Sequence, residues 1–152
     1  MSLMAEDWQQ LFLFILPALL FIAVSLLISV IGGWRSLASA YLLSDPFPAG
    51  RWWFQSARMR FGLAYNGCLI VGADQRGLYI SIFFLFRIGH PPLFIPWQDV
   101  SISFGRSKWF GGVTLRFKNE PQVPFRISET LAKRLRAVAG SAWPSETTQP
   151  LG

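Results

Sequence analysis

Charge is what this sequence has least of. Only 14% of its residues are Asp, Glu, Lys or Arg, against ~25% in an ordinary soluble domain. One cysteine excludes a disulfide framework within the chain. One histidine beside that one cysteine also excludes a His/Cys zinc site of usual spacing. The glycine-rich phosphate loops, H-E-x-x-H and G-x-S-x-G are missing. Acid–base catalysis usually needs a histidine or a carboxylate pair. Beyond Trp34 the acids are Asp45, Asp74, Asp99, Glu120, Glu129 and Glu146. Asp74 and Glu120 fall in expected turns, Glu129 at a helix start and Asp99 just before a strand. No enzyme, no cofactor and no metal is therefore expected. Disorder is excluded as well, because 52% of the chain is hydrophobic.

Much of that apolar surplus is one segment. Residues 11–31 read LFLFILPALLFIAVSLLISVI without a charge. As a helix they rise roughly 30 Å, the thickness of a bilayer hydrocarbon core. Trp8 and Trp34 flank the run, as amphipathic rings do at lipid–water interfaces. Pro17 is tolerable inside a membrane helix, and Ser25 and Ser29 can bond back to their own helix. A buried core helix rarely needs so long an apolar run. A cleaved signal peptide is the other alternative, with Ala38-Ser39-Ala40 as a small-x-small site. However, residues 1–10 carry no Lys or Arg, and the run exceeds the ~7–15 residues of a signal core. Glu6 and Asp7 precede the span, and all 14 Lys and Arg follow it. The N-terminus is thus expected outside and the C-terminal region in the cytosol.

Past Gly32-Gly33, residues 35–43 suit a short helix, either lying in the headgroups or packing on the next domain. Asp45-Pro46-Phe47-Pro48-Ala49-Gly50 reads as a linker. From Trp52 the period becomes two, with Trp53, Ala57, Met59 and Phe61 on one side. Asn66-Gly67 signals a turn before the strand 68–73, and Asp74-Gln75-Arg76-Gly77 a second turn. Further strands are expected at 78–86, 93–96, 100–104, 113–117 and 122–127. Ser128 then caps a helix with Leu131, Leu135 and Val138 on one face, ending at Gly140. The polar tail 141–152 is expected to be disordered. The organisation is an N-terminus (1–10), a span (11–33), a juxtamembrane helix and linker (34–51), a mainly-β domain with its C-terminal helix (52–140) and the tail.

Seven short strands and one helix in about ninety residues resemble the pleckstrin-homology (PH)-like superfamily. The carriers are Asp74-Gln75-Arg76-Gly77-Leu78-Tyr79 and Ile95-Pro96-Trp97-Gln98-Asp99-Val100. They look like the bacterial PH and GRAM-like pattern of a glycine before a hydrophobic strand, then I-P-aromatic-x-acid-hydrophobic. The stretch 84–92 also resembles short uncharacterised bacterial membrane proteins. The resemblance implies a bent seven-stranded sheet or barrel capped by the C-terminal helix. In such domains the loops after the first and third strands border the ligand mouth. It therefore makes Arg58, Arg60, Arg87 and His90 an anion-site candidate.

Arg106 and Lys108 form a second basic cluster, next to Trp109-Phe110. Ordinary solvated charge is the plain alternative for all these cations, and a turn role the plain one for His90. Trp97 reads as a packing anchor whose N–H finds a partner. In the third strand both faces are apolar, with Phe83 and Leu85 on the second face. Either a helix of this chain covers that face, or a protein partner or the membrane surface does. Phe83, Leu85, Trp109 and Phe110 are the interface candidates. The resulting expectation is a single-pass protein of the bacterial inner membrane. Its cytosolic domain would be a non-enzymatic adaptor for anionic lipid or a protein partner, with no nucleic acid bound. A small structural subunit of a larger membrane complex is the alternative.

Overall fold

The computed structural model describes residues 2–48, 50–107 and 110–145. Helix α1 (Ser2–Gly32) contains the whole apolar run, with Pro17 inside it. Its length and composition suffice to cross a membrane, and only 6% of its most apolar stretch is buried. Gly33, at φ +89°, turns the chain into α2 (Trp34–Tyr41). Seven strands follow: β1 (Arg51–Arg58), β2 (Ala64–Ala73), β3 (Gly77–Ile82), β4 (Leu93–Pro96), β5 (Val100–Ser107), β6 (Phe110–Phe117) and β7 (Glu120–Ile127). They form one open antiparallel sheet in the order β4-β3-β2-β1-β7-β6-β5. Helix α3 (Glu129–Ala139) closes the domain.

The sheet curls around its apolar side. Helix α2 touches both β4 and β7, and α3 touches both β2 and β6. Alternate residues point inward, among them Leu69, Val71, Leu78, Ile80, Leu115, Phe117, Val123 and Phe125. Trp34, Leu37 and Tyr41 of α2 belong to the same core. The 34–41 helix therefore packs on the domain, and the core includes residues from Trp34 onward. The Tyr41 hydroxyl accepts the Asn119 amide at 3.0 Å, pinning the end of α2 to the β6–β7 turn. Ser128 caps α3 through the Leu131 amide. Leu131 and Leu135 are buried as expected, but Ala132 and Ala139 replace Val138 on the packed face. The first residues of the expected tail are ordered, and residues 146–152 lie outside the described residues. Residues 140–142 form a 3₁₀ turn, and Trp143 packs on Trp97 at 5.5 Å.

Three strand expectations are corrected. The third strand stops at Ile82, and Phe84–Phe86 form a 3₁₀ turn with Phe86 N–H bonded to Phe83 O. An apolar run alone cannot distinguish a long strand from a short one leading into a turn. Secondly, Trp53 and Phe54 together oppose Ile70, a bulge with Phe54 at φ +55°. That extra residue breaks the alternation and Trp53 is exposed; β1 ends at Arg58, and Phe61 lies in the Arg60–Gly62 turn, 83% exposed. Thirdly, Asn66-Gly67 is a bulge within β2, where the Gly67 amide donates to the Ser56 hydroxyl at 2.8 Å. The β1–β2 turn is residues 59–63 instead.

Both faces of β3 are buried, and the cover of the second face is the expected linker. Ile70, Tyr79 and Ser81 lie beneath it. Phe47 stacks edge-on against Tyr79 at 5.8 Å, and the Leu43 amide donates to Pro92 O. A Cβ on Gly72 would meet Pro48 at 2.9 Å and Phe47 at 3.0 Å, so the close cover needs a glycine there.

Candidate functional site

The turns after β1 and β3 meet at the C-terminal third of α1. From the first, Arg60 donates from Nη2 to Val30 O at 2.7 Å and from Nε to Ile31 O at 3.0 Å. Val30 O also accepts the Gly33 amide at 3.3 Å, and the last-turn carbonyls carry the negative end of the helix dipole, so a guanidinium suits them. From the second, Gly89 sits against Leu26 and Ser29. The Ser25 hydroxyl donates to Ile88 O at 2.8 Å, not to its own helix as expected.

His90 lies at the centre of this seam, buried between Trp34 and Tyr65. Its Nδ1 is 3.0 Å from Ile88 O, and its Nε2 is 3.0 Å from the Tyr65 hydroxyl. A carbonyl only accepts, so Nδ1 carries the proton and Nε2 accepts from Tyr65. The Trp34 indole donates to Pro91 O at 2.9 Å. Burial lowers the His90 pKa, outweighing the backbone carbonyls that favour a charged ring. Burial also pushes the Tyr65 hydroxyl up. A free histidine has a pKa near ~6.5, so below it the unfolded chain takes up a proton that the folded chain resists. Stability is therefore full above that value and declines as pH falls through it. The denaturation midpoint should drop between about pH 7.5 and about pH 5.5, and drop less in His90→Gln. An unchanged difference in the variant would place the titration elsewhere.

The four anion-site candidates thus separate. Arg60 and His90 meet at the α1 seam, each engaged with protein groups. Arg58 ends β1 opposite Arg126 of β7. Arg87 is exposed and lines a cleft of about 190 Å³ with Arg51, Asp45, Phe47, Ser81 and Pro92. Arg51 is held there by its Nε donating to Pro48 O at 3.2 Å, with its guanidinium 4.9 Å from the Phe47 ring. Lys108 and Trp109 lie outside the described residues, and Arg106 and Phe110 are placed only by their positions in β5 and β6. Among the interface candidates, Phe83 is half-buried and Leu85 is 55% exposed.

Sequence reasoning passed over Arg51, Phe54 and Phe61. Arg51 falls at the edge of the expected linker, and the two phenylalanines fall in an expected regular strand. Phe54 and Phe61 are the two non-glycine residues with positive φ among the described residues. Bulky side chains rarely adopt that backbone.

The Asp74 turn is structural. Asp74 Oδ1 accepts the Arg76 and Gly77 amides, and Oδ2 accepts the Tyr79 hydroxyl at 2.8 Å. Trp97 anchors here as expected, its indole donating to Asp74 O at 2.7 Å. Among the described residues, no three His, Cys, Asp or Glu side chains come together as a metal site. Comparison with family models, with curated proteins and with solved structures finds no match.

Proposed function

We propose that this chain is a single-pass bacterial inner-membrane protein, with its N-terminus outside and its β domain against the cytosolic leaflet. The domain is PH-like and works without catalysis, as an adaptor that docks anionic lipid headgroups. The strand order, the curl of the sheet and the helix that follows it support the PH-like reading. The charge asymmetry across α1 supports the orientation. In this reading the mouth between the first and third turns is filled by the α1–α2 joint. The headgroup site therefore moves to the outer face of the sheet.

The observation that carries the docking role is the cleft holding Arg51 and Arg87 together. Arg87 directly follows Phe86, whose ring contacts Phe21 of α1 at 5.8 Å. The cations thereby sit beside the membrane helix, where each gains ~1 kcal/mol from an anionic leaflet. Full-length protein in mild detergent should retain phosphatidylglycerol over phosphatidylcholine in native mass spectrometry. Arg51→Glu with Arg87→Glu should reduce that retention roughly tenfold or more. Arg87→Glu alone, at an exposed site, should give part of the loss with folding intact. Equal retention would remove the cleft from the proposal, and a fixed co-purifying protein would favour a subunit of a larger complex.

A further inference from the structure

The 83–88 turn carries a surface unlike the rest of the domain. Phe84, Leu85, Phe86 and Ile88 are all exposed, and Phe54 stands 71% exposed on the neighbouring bulge. The rings form a chain, with Phe54 to Phe83 at 6.4 Å and Phe83 to Phe84 at 4.8 Å. At its far end the surface joins α1 through Phe86 and Phe21. In an aqueous surface this clustering would be a liability.

We propose that this turn and the Phe54 bulge form a second membrane-embedded element, an apolar wedge that enters the cytosolic leaflet beside α1 and contacts lipid acyl chains. The proposal rests on α1 spanning the bilayer. Depth is the first argument. Measured from Trp8 at ~1.5 Å per residue, roughly 30 Å of hydrocarbon ends near Ile28. Phe86 packs against Phe21, which precedes that boundary, so its ring lies on the hydrocarbon side. Ile88 is bonded to Ser25 and Gly89 touches Leu26, so the rest of the turn follows α1 toward the interface.

The backbone supplies the second argument. Irregular chain survives in hydrocarbon only where its polar groups are bonded. In this turn, Phe83 O accepts from Phe86 N–H, Phe84 O from Arg87 N–H and Arg87 O from His90 N–H. Ile88 O accepts from the Ser25 hydroxyl and from His90 Nδ1. Phe83 N–H donates to Cys68 O at 2.8 Å.

Charge is the third argument. Residues 83–92 contain no acid and one cation, and that cation, Arg87, lines the polar cleft with Arg51 rather than standing among the phenylalanines. The occupant is therefore lipid. A protein on this patch would have to share the exposed flank of α1.

Depth-dependent quenching tests the wedge on the full chain in liposomes. In a Cys68→Ser background, a bimane label is placed at Leu85→Cys, at Leu20→Cys in α1, or at Ser101→Cys on the sheet. Labels at 85 and 20 should both be quenched by lipids brominated on the acyl chain, position 85 at least half as strongly as position 20. The label at 101 should respond only to aqueous iodide. Quenching at 20 with iodide-only quenching at 85 would overturn the wedge and leave the span standing. A label at 20 untouched by brominated lipid would overturn the span itself. Protection of position 85 from both quenchers would point to a second copy or a partner, and would also overturn the lipid assignment. Phe84→Cys, at a neighbouring exposed site, repeats the measurement independently.

Discussion

A fragment beginning at Trp52 should show no cooperative unfolding transition, while one beginning at Trp34 should retain it. Trp34 and Leu37 are 0% exposed and Tyr41 is 4% exposed, and all three face the same core as the sheet. Emptying one tryptophan site costs about 3–5 kcal/mol and one leucine site about 2–5 kcal/mol. A domain's whole stability is about 5–15 kcal/mol, so losing α2 exhausts most of it. The shorter fragment also strips Phe47 and Pro48 from Tyr79 and Gly72, baring the second face of β3. Circular dichroism during urea titration distinguishes the two fragments. A sigmoidal transition in the shorter one would show that the sheet and α3 suffice.

Gly33→Ala should destabilise the full chain by about 2–4 kcal/mol, from two separable causes. The backbone at Gly33 is left-handed, at φ +89°, which strains any residue with a Cβ. That Cβ would also lie 2.7 and 2.8 Å from the two methyls of Val123, which is itself fully buried. These methyls branch from a stiff position on β7 and cannot swing aside. Val123→Ala leaves a cavity in the otherwise wild-type chain, yet it should partly rescue Gly33→Ala by removing the clash. The double-mutant cycle should therefore show favourable coupling of about 1 kcal/mol or more. Simple additivity would mean that only the backbone angle matters.

The sequence was most informative where local chemistry alone decides. The Asp74–Gly77 turn and the Ser128 cap each depend on a few neighbouring residues, and both are found. It misled where a residue's job is set by a distant partner. Asn66-Gly67 has the composition of a hairpin turn, but pairing with β1 makes it a bulge. The apolar run after Ile82 reads as strand until α1 is set beside it. The resemblance groups Arg60 and His90 with Arg87 because their loops share one end of the sheet. Their loops do share it. What the pattern could not hold was the α1–α2 joint filling that end, where Arg60 bonds to the last carbonyls of α1 and His90 packs between Trp34 of α2 and Tyr65.

The joint between α1 and the sheet has a mechanical meaning. Arg60 grips the last carbonyls of α1, Ser25 is bonded to the β3–β4 loop, and Gly33 passes directly into a helix that is part of the core. The proline-rich stretch that reads as slack lies downstream of this joint, flat on the sheet. These contacts couple the direction of α1 to that of the sheet, so in the proposed membrane setting a tilt of α1 with bilayer thickness would carry the sheet with it.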